Sequence, residues 1–185
     1  MKKIALASLL FLVVIILSGC TDKTEKENSA DISTGTVAAD KSSEVVAEGL
    51  CGIFTKGFVA AATGLNITAA ETYAIEGVES SNCRYYVDGK KIAPVITIGK
   101  FKNDLEKEKK KYLEHPLFKG WKIIANKEIA MENFVTYNEV GQLTDIFLIT
   151  GTNEYYRLTL YSFNTIGSKE MVTLALQVEK EIGKK

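Results

Sequence analysis

Residues 143–163 read LTDIFLIT, GTNE and YYRLTLYSF in succession, and this stretch decides the fold. The segments 143–150 and 155–163 are rich in β-branched and aromatic residues and bounded by turn formers, the signature of strands. Only Gly151-Thr152-Asn153-Glu154 separates them. So short a connection makes its two strands antiparallel neighbours. Upstream, after Gly120, the segments 121–123 and 134–137 keep the strand period, and the second turns through Asn138 to Gly141. Downstream, a helix capped near Ser168 carries Met171, Leu174, Ala175, Val178 and Ile182 at i, i+3, i+4, i+7 and i+11, one apolar stripe.

The first half supplies the remaining elements. Phe54, Phe58, Ala61, Ala62 and Leu65 recur at helical spacing, and Gly64 stands where a C-cap is wanted. Residues 82–87 are β-prone and end at the turn dipeptide Asp88-Gly89. Residues 92–98 read as a second strand, with Pro94 near its start, where a lost N–H is tolerable. Phe101, Leu105 and Tyr112 predict a charged helix with a narrow buried stripe, ended by His115-Pro116. The expected fold is α+β: a single, mainly antiparallel sheet with helices packed on it, α/β/α sandwich-like.

The N-terminus is of another kind. Lys2 and Lys3 precede an apolar run from Ile4 to Leu17, which meets Leu17-Ser18-Gly19-Cys20. A positive start, an apolar core and a small-residue junction make a secretory signal peptide, and the run is too short for a spanning helix. The junction resembles the lipobox of prokaryotic lipoproteins, in which the Cys receives lipid and becomes the mature N-terminus. That resemblance implies lipidation at Cys20. Residues 1–19 are then the signal peptide, 20–46 the lipidated N-terminus and a flexible, disordered tether, and 47–185 the α+β domain. The tether is read from Ser, Thr, Asp, Glu and Lys without any aromatic residue, a composition that buries nothing.

The chain has 185 residues, with 23 Lys+Arg against 23 Asp+Glu, three Cys and one His. Neutrality removes the basic excess that nucleic-acid binding needs, so no nucleic-acid partner is expected. With Cys20 lipidated, Cys51 and Cys83 remain as an even pair in an oxidising compartment, and a structural disulfide is expected; two separate buried thiols are the alternative. One His cannot complete a metal quartet with two Cys, so neither metal nor cofactor is expected.

A second resemblance covers the domain. Cys51 followed by Gly52, Ile53 and Phe54, a helix ending in Gly64, then Cys83-Arg84-Tyr85, is similar to a family of uncharacterised small lipoproteins with a PsbP-like α/β/α sandwich. The resemblance implies a fold and a pairing of these two cysteines, and no catalytic residues.

No catalytic constellation stands out. His115 sits at a helix exit, there is no G-x-S-x-G, no P-loop and no Ca²⁺ loop, and no spacing singles out a carboxylate pair, although Asp145 and Glu154 are candidates. The Lys-rich run 107–111 is interleaved with Glu and reads as a solvated helix face. Tyr85, Tyr155 and Tyr161 lie on predicted strands and, if they share an exposed face, form an aromatic binding platform; core packing is the other reading. Asn66-Ile67-Thr68 matches the glycosylation sequon, usable in an exported archaeal protein and idle in a typical bacterium.

The expected function is that of a membrane-anchored extracytoplasmic lipoprotein, a non-catalytic binding or accessory module on the outer face of the cell membrane. Its partners are the membrane, through the lipid, and an envelope protein or small-molecule ligand. The alternatives are an exported enzyme with a His-independent Asp/Glu/Tyr site and a purely structural envelope component.

Overall fold

A computed structural model describes residues 49–89 and 91–184; the expected signal peptide, Cys20 and the expected tether lie outside the described residues. The strands are β1 (Ala69–Tyr73), β2 (Ser80–Tyr86), β3 (Ile96–Lys102), β4 (Lys122–Ile124), β5 (Asn133–Tyr137), β6 (Leu143–Gly151) and β7 (Glu154–Leu160). They form one sheet in the order β1-β2-β3-β7-β6-β5-β4, antiparallel throughout. The helices are α1 (Leu50–Ile53), α2 (Lys56–Thr63), α3 (Leu105–Glu114) and α4 (Ser168–Ile182), with a 3-10 turn at Pro116–Phe118. The fold is α+β. The 143–160 hairpin joins β6 to β7 as its short connection demands. The chain leaves β3, crosses one face through α3 to the far edge, and returns by the meander β4-β5-β6-β7 to lie beside β3.

The sheet has two differently furnished faces. On one, Cys83, Tyr85, Ile98, Ile146 and Leu158 are sealed by Leu50, Phe54 and Val59 from the α1–α2 segment and by Met171, Leu174, Ala175 and Val178 of α4. That α4 stripe is the one its periodicity predicts. On the other face, Phe101, Phe134, Phe147 and Tyr155 pack against Leu105 and Tyr112 of α3. Cys51 and Cys83 are joined, their Cα atoms 5.2 Å apart, which fastens α1 to β2 in the first core. Both cores and the disulfide lie within residues 50–178.

Several expectations are corrected. The helix expected through Phe54–Leu65 is shorter, α2 alone: Phe54 lies in the break after α1, and the Thr55 hydroxyl caps α2 by accepting from Phe58 N at 3.2 Å. Val59 and Thr63, rather than Ala61, face the core, while Gly64 closes the helix at φ 72° as expected. The second strand begins at Ile96 instead of Ile92, which leaves Ile92 exposed in the turn. Phe101 belongs to the end of β3; α3 starts later because the Asp104 carboxylate accepts from Lys107 N at 3.0 Å. Strand β1, with the sequence AAETY, has no sequence counterpart among the expected elements.

Candidate functional site

The exposed platform of Tyr85, Tyr155 and Tyr161 does not form. Register pairs Tyr85 with Ile96 and Ile96 with Leu160, so Tyr85 shares the helix-sealed face with the even-numbered residues of β7, whereas Tyr155 and Tyr161 follow its odd-numbered ones. Tyr85 is fully buried, its hydroxyl donating to Phe54 O, and burial holds the phenol protonated well above its ordinary range. Tyr155 stacks on Phe101, at 5.4 Å, and meets Phe147 at a tilt, at 5.6 Å, and burial pushes its pKa up to about 12. Only Tyr161, 54% exposed, is at the surface. Asn66 is exposed in the connection between α2 and β1. His115 is exposed too, its Nδ1 accepting from Leu117 N at 3.2 Å. Glu154 is held below the usual carboxylate range by its hydrogen bond with Lys100, an ion pair at 2.9 Å.

What the α3 face does assemble is a polar network under α3. The hairpin register sets Asp145 opposite Thr159 and Phe147 opposite Arg157, so Asp145 and Arg157 are diagonal neighbours. Asp145 Oδ1 accepts from Arg157 Nε at 2.8 Å and from the Thr159 hydroxyl at 2.7 Å. Its Oδ2 accepts from Thr136 Oγ1 and from the Tyr112 hydroxyl, each at 3.2 Å. The remaining guanidinium nitrogens reach α3: Nη2 donates to the Tyr112 hydroxyl at 2.7 Å and Nη1 to Glu108 Oε1 at 3.4 Å. A register shift at Thr136/Tyr137 brings Thr144 in as well, its hydroxyl 2.6 Å from that of Thr136.

Asp145 is 3% exposed, and a carboxylate so buried is tolerable only when paired and fully hydrogen-bonded, as here. Burial works against the charge on Arg157, but its neighbours together, Asp145 foremost with Tyr112 and Glu108, more than offset it and keep the guanidinium protonated. Tyr112 is pushed well above its ordinary range by burial and then by the Asp145 charge, so it is a neutral phenol that donates to Asp145 and accepts from Arg157.

Beside the network, the chain leaving α3 builds an aromatic wall. Phe118 lies 4.7 Å from Tyr112 and meets Trp121 edge-on at 4.8 Å. Between this wall and the ends of β6 and β7 opens a cleft of about 340 Å³. Trp121, Phe118, Tyr161 and Phe163 form its sides, Asp145, Arg157, Thr144 and Thr159 its floor, and Lys111 and Asn138 its rim. The cleft opens at the sheet end where β2 and β7 finish. At the same end stand the exposed Leu113 of the last turn of α3, Leu117 of the 3-10 turn, and Ile92 and Val140 of loops.

The sequence reading missed this site. The available signal was a charge inside each of two otherwise apolar strands, Asp145 in LTDIFLIT and Arg157 in YYRLTL, joined by a hairpin that puts odd-numbered residues of both on one face. Among the described residues there is no group of three or more His, Cys, Asp and Glu placed to hold a metal ion, and no helix long and apolar enough to cross a membrane. Compared with known proteins, the chain matches no family model, no curated protein and no solved structure.

Proposed function

We propose that the chain is a membrane-anchored extracytoplasmic lipoprotein, similar to the small lipoproteins its cysteine pattern resembles, and that its domain is a non-catalytic binding module whose ligand enters the α3-face cleft. One observation carries the reading of the domain. Asp145 and Arg157 direct their hydrogen-bonding atoms to each other and to Thr159, Thr136, Tyr112 and Glu108, while the aromatic sides of the cleft stay open. A general base or nucleophile needs a lone pair aimed at substrate, and the floor's carboxylate has both oxygens occupied. Such a cleft is suited to holding a molecule rather than transforming it.

The anchor rests on Leu17-Ser18-Gly19-Cys20 after a signal-peptide core. Cys20→Ser moves the protein from the membrane fraction to the soluble fraction on this reading, with loss of the lipid mass; retention at unchanged mass sinks it. For the cleft, Trp121 is the only tryptophan of the chain, so its emission reports the site directly. Fractionated envelope extract is expected to shift that emission, and an emission indifferent to every fraction refutes a ligand site here.

A second reading is favoured by the exposed Ile92, Leu117 and Val140, which make the same end an apolar docking surface for an envelope protein. Substituting these three by Ser abolishes partner capture on that reading and leaves the Trp121 response intact.

A further inference from the structure

Resting on the reading of the α3-face cleft as a ligand site, we infer that its ligand is an uncharged pyranose sugar, a mono- or disaccharide ring system stacked on Trp121 and Tyr161. Charge comes first. The four ionised groups in and behind the cleft are Lys111, Arg157, Asp145 and Glu108, and they cancel: Arg157 meets Asp145 at 2.8 Å and Glu108 at 3.4 Å, and Lys111 meets Glu108 at 3.7 Å. No surplus charge remains to draw an anion or a cation, so an ionic ligand gains nothing by entering.

Shape and polarity come next. The sides are aromatic, and both Tyr161, at 54% exposed, and the half-buried Trp121 line the cleft with accessible surface. The negative face of an aromatic ring attracts the weakly positive C–H bonds that line one side of a pyranose. A flat hydrocarbon would use those faces equally well but would give nothing to the spare hydrogen-bonding capacity of the lining, the lone pairs of the Thr159 hydroxyl and the second amide N–H of Asn138, whose first donates to Gln142 Oε1. A sugar meets both surfaces at once, its apolar side on the wall and its hydroxyls toward the floor and rim. The Thr159 hydroxyl donates to Asp145 at 2.7 Å, and its oxygen keeps lone pairs that accept from a sugar hydroxyl. A volume of about 340 Å³ is at the lower end for small-molecule clefts and has room for a short saccharide only.

The test uses the isolated domain from residue 47, which contains both cores, with cellobiose and chitobiose as sugar probes and benzoate and inorganic phosphate as charged ones. Either disaccharide is expected to shift Trp121 emission at concentrations where benzoate and phosphate do not. Tyr161→Ala weakens that response about three- to tenfold, the loss of one aromatic stacking partner, without moving the urea midpoint. By calorimetry, Trp121→Ala removes disaccharide binding and Trp121→Phe retains part of it. Preferential binding of benzoate or phosphate overturns the proposal, and so does a disaccharide affinity unchanged in both alanine variants. If envelope fractions shift the emission and neither sugar does, the sugar assignment fails and the binding-module reading stands. If nothing shifts it, both fall.

Discussion

The two faces of the sheet are built by opposite rules. The face under α1, α2 and α4 carries the larger apolar core, closed by three helices and a disulfide. The face under α3 has one helix, a buried ion pair, a row of threonine hydroxyls and a cleft left open beside them. Apolar burial is non-directional and dominates stability, so the first face holds the fold. A buried charge network contributes little net stability but tolerates few alternative arrangements, so the second face fixes geometry. The division of labour between them can be broken by mutation.

The largest effect belongs to the three-helix face. Phe54 is wholly buried, and Phe54→Ala should cost about 3–5 kcal/mol in urea unfolding. Next is the Cys51–Cys83 bridge, whose 32-residue separation corresponds to about 3.7 kcal/mol of chain entropy. Cys51→Ser with Cys83→Ser should lower the unfolding free energy by roughly that amount, and a loss below about 1 kcal/mol would show that the bridge constrains little.

On the α3 face, Asp145→Asn leaves Arg157 without its carboxylate. Because the Arg157 side chain is still 25% exposed, the expected cost is about 2–3 kcal/mol, below that of a fully buried broken pair. Replacing both, as Asp145→Leu with Arg157→Met, should recover much of the loss; a double variant worse than Asp145→Asn would show that the network stabilises as well as orients.

pH gives a gentler test. The folded-state pKa values of Tyr112 and Tyr155 lie above the ordinary 10, for Tyr155 at about 12. The folded state therefore holds protons that the unfolded chain releases, and stability is fully present below pH 10 and falls between about 10 and 12. Unfolding followed across that range, with phenolate absorbance, should show the fall; a flat profile refutes the burial of these phenols. The smallest effect is expected from Tyr161→Ala, within about 0.5 kcal/mol because the side chain is exposed. A larger loss would mean that Tyr161 supports the fold rather than the cleft.

Legibility in the sequence followed the same division. The β6–β7 hairpin and the α4 stripe were readable because local spacing alone dictates them. Strand β1 was not: AAETY is a poor strand by composition and becomes one by pairing with β2, Ala70 opposite Tyr85 and Thr72 opposite Cys83. Phe101 misled because it stands at helical spacing from Leu105 and Tyr112, yet the Asp104 cap separates it from them. The tyrosines were left between two readings for a related reason; Tyr85 and Tyr155 take the core one. Whether Tyr85 shares a face with Tyr155 or Tyr156 is a matter of register across β3, and a shift of one residue exchanges the two outcomes. The Asp145–Arg157 network needs that register plus the descent of Tyr112 from α3, a contact 33 residues distant in sequence.

Gly49 sits against Ser81, at the start of β2, whereas the cleft opens past the ends of β2 and β7. A strand of seven residues, such as β7, spans roughly 23 Å. Gly49 and the mouth of the cleft therefore lie about a strand's length apart, at opposite ends of the sheet.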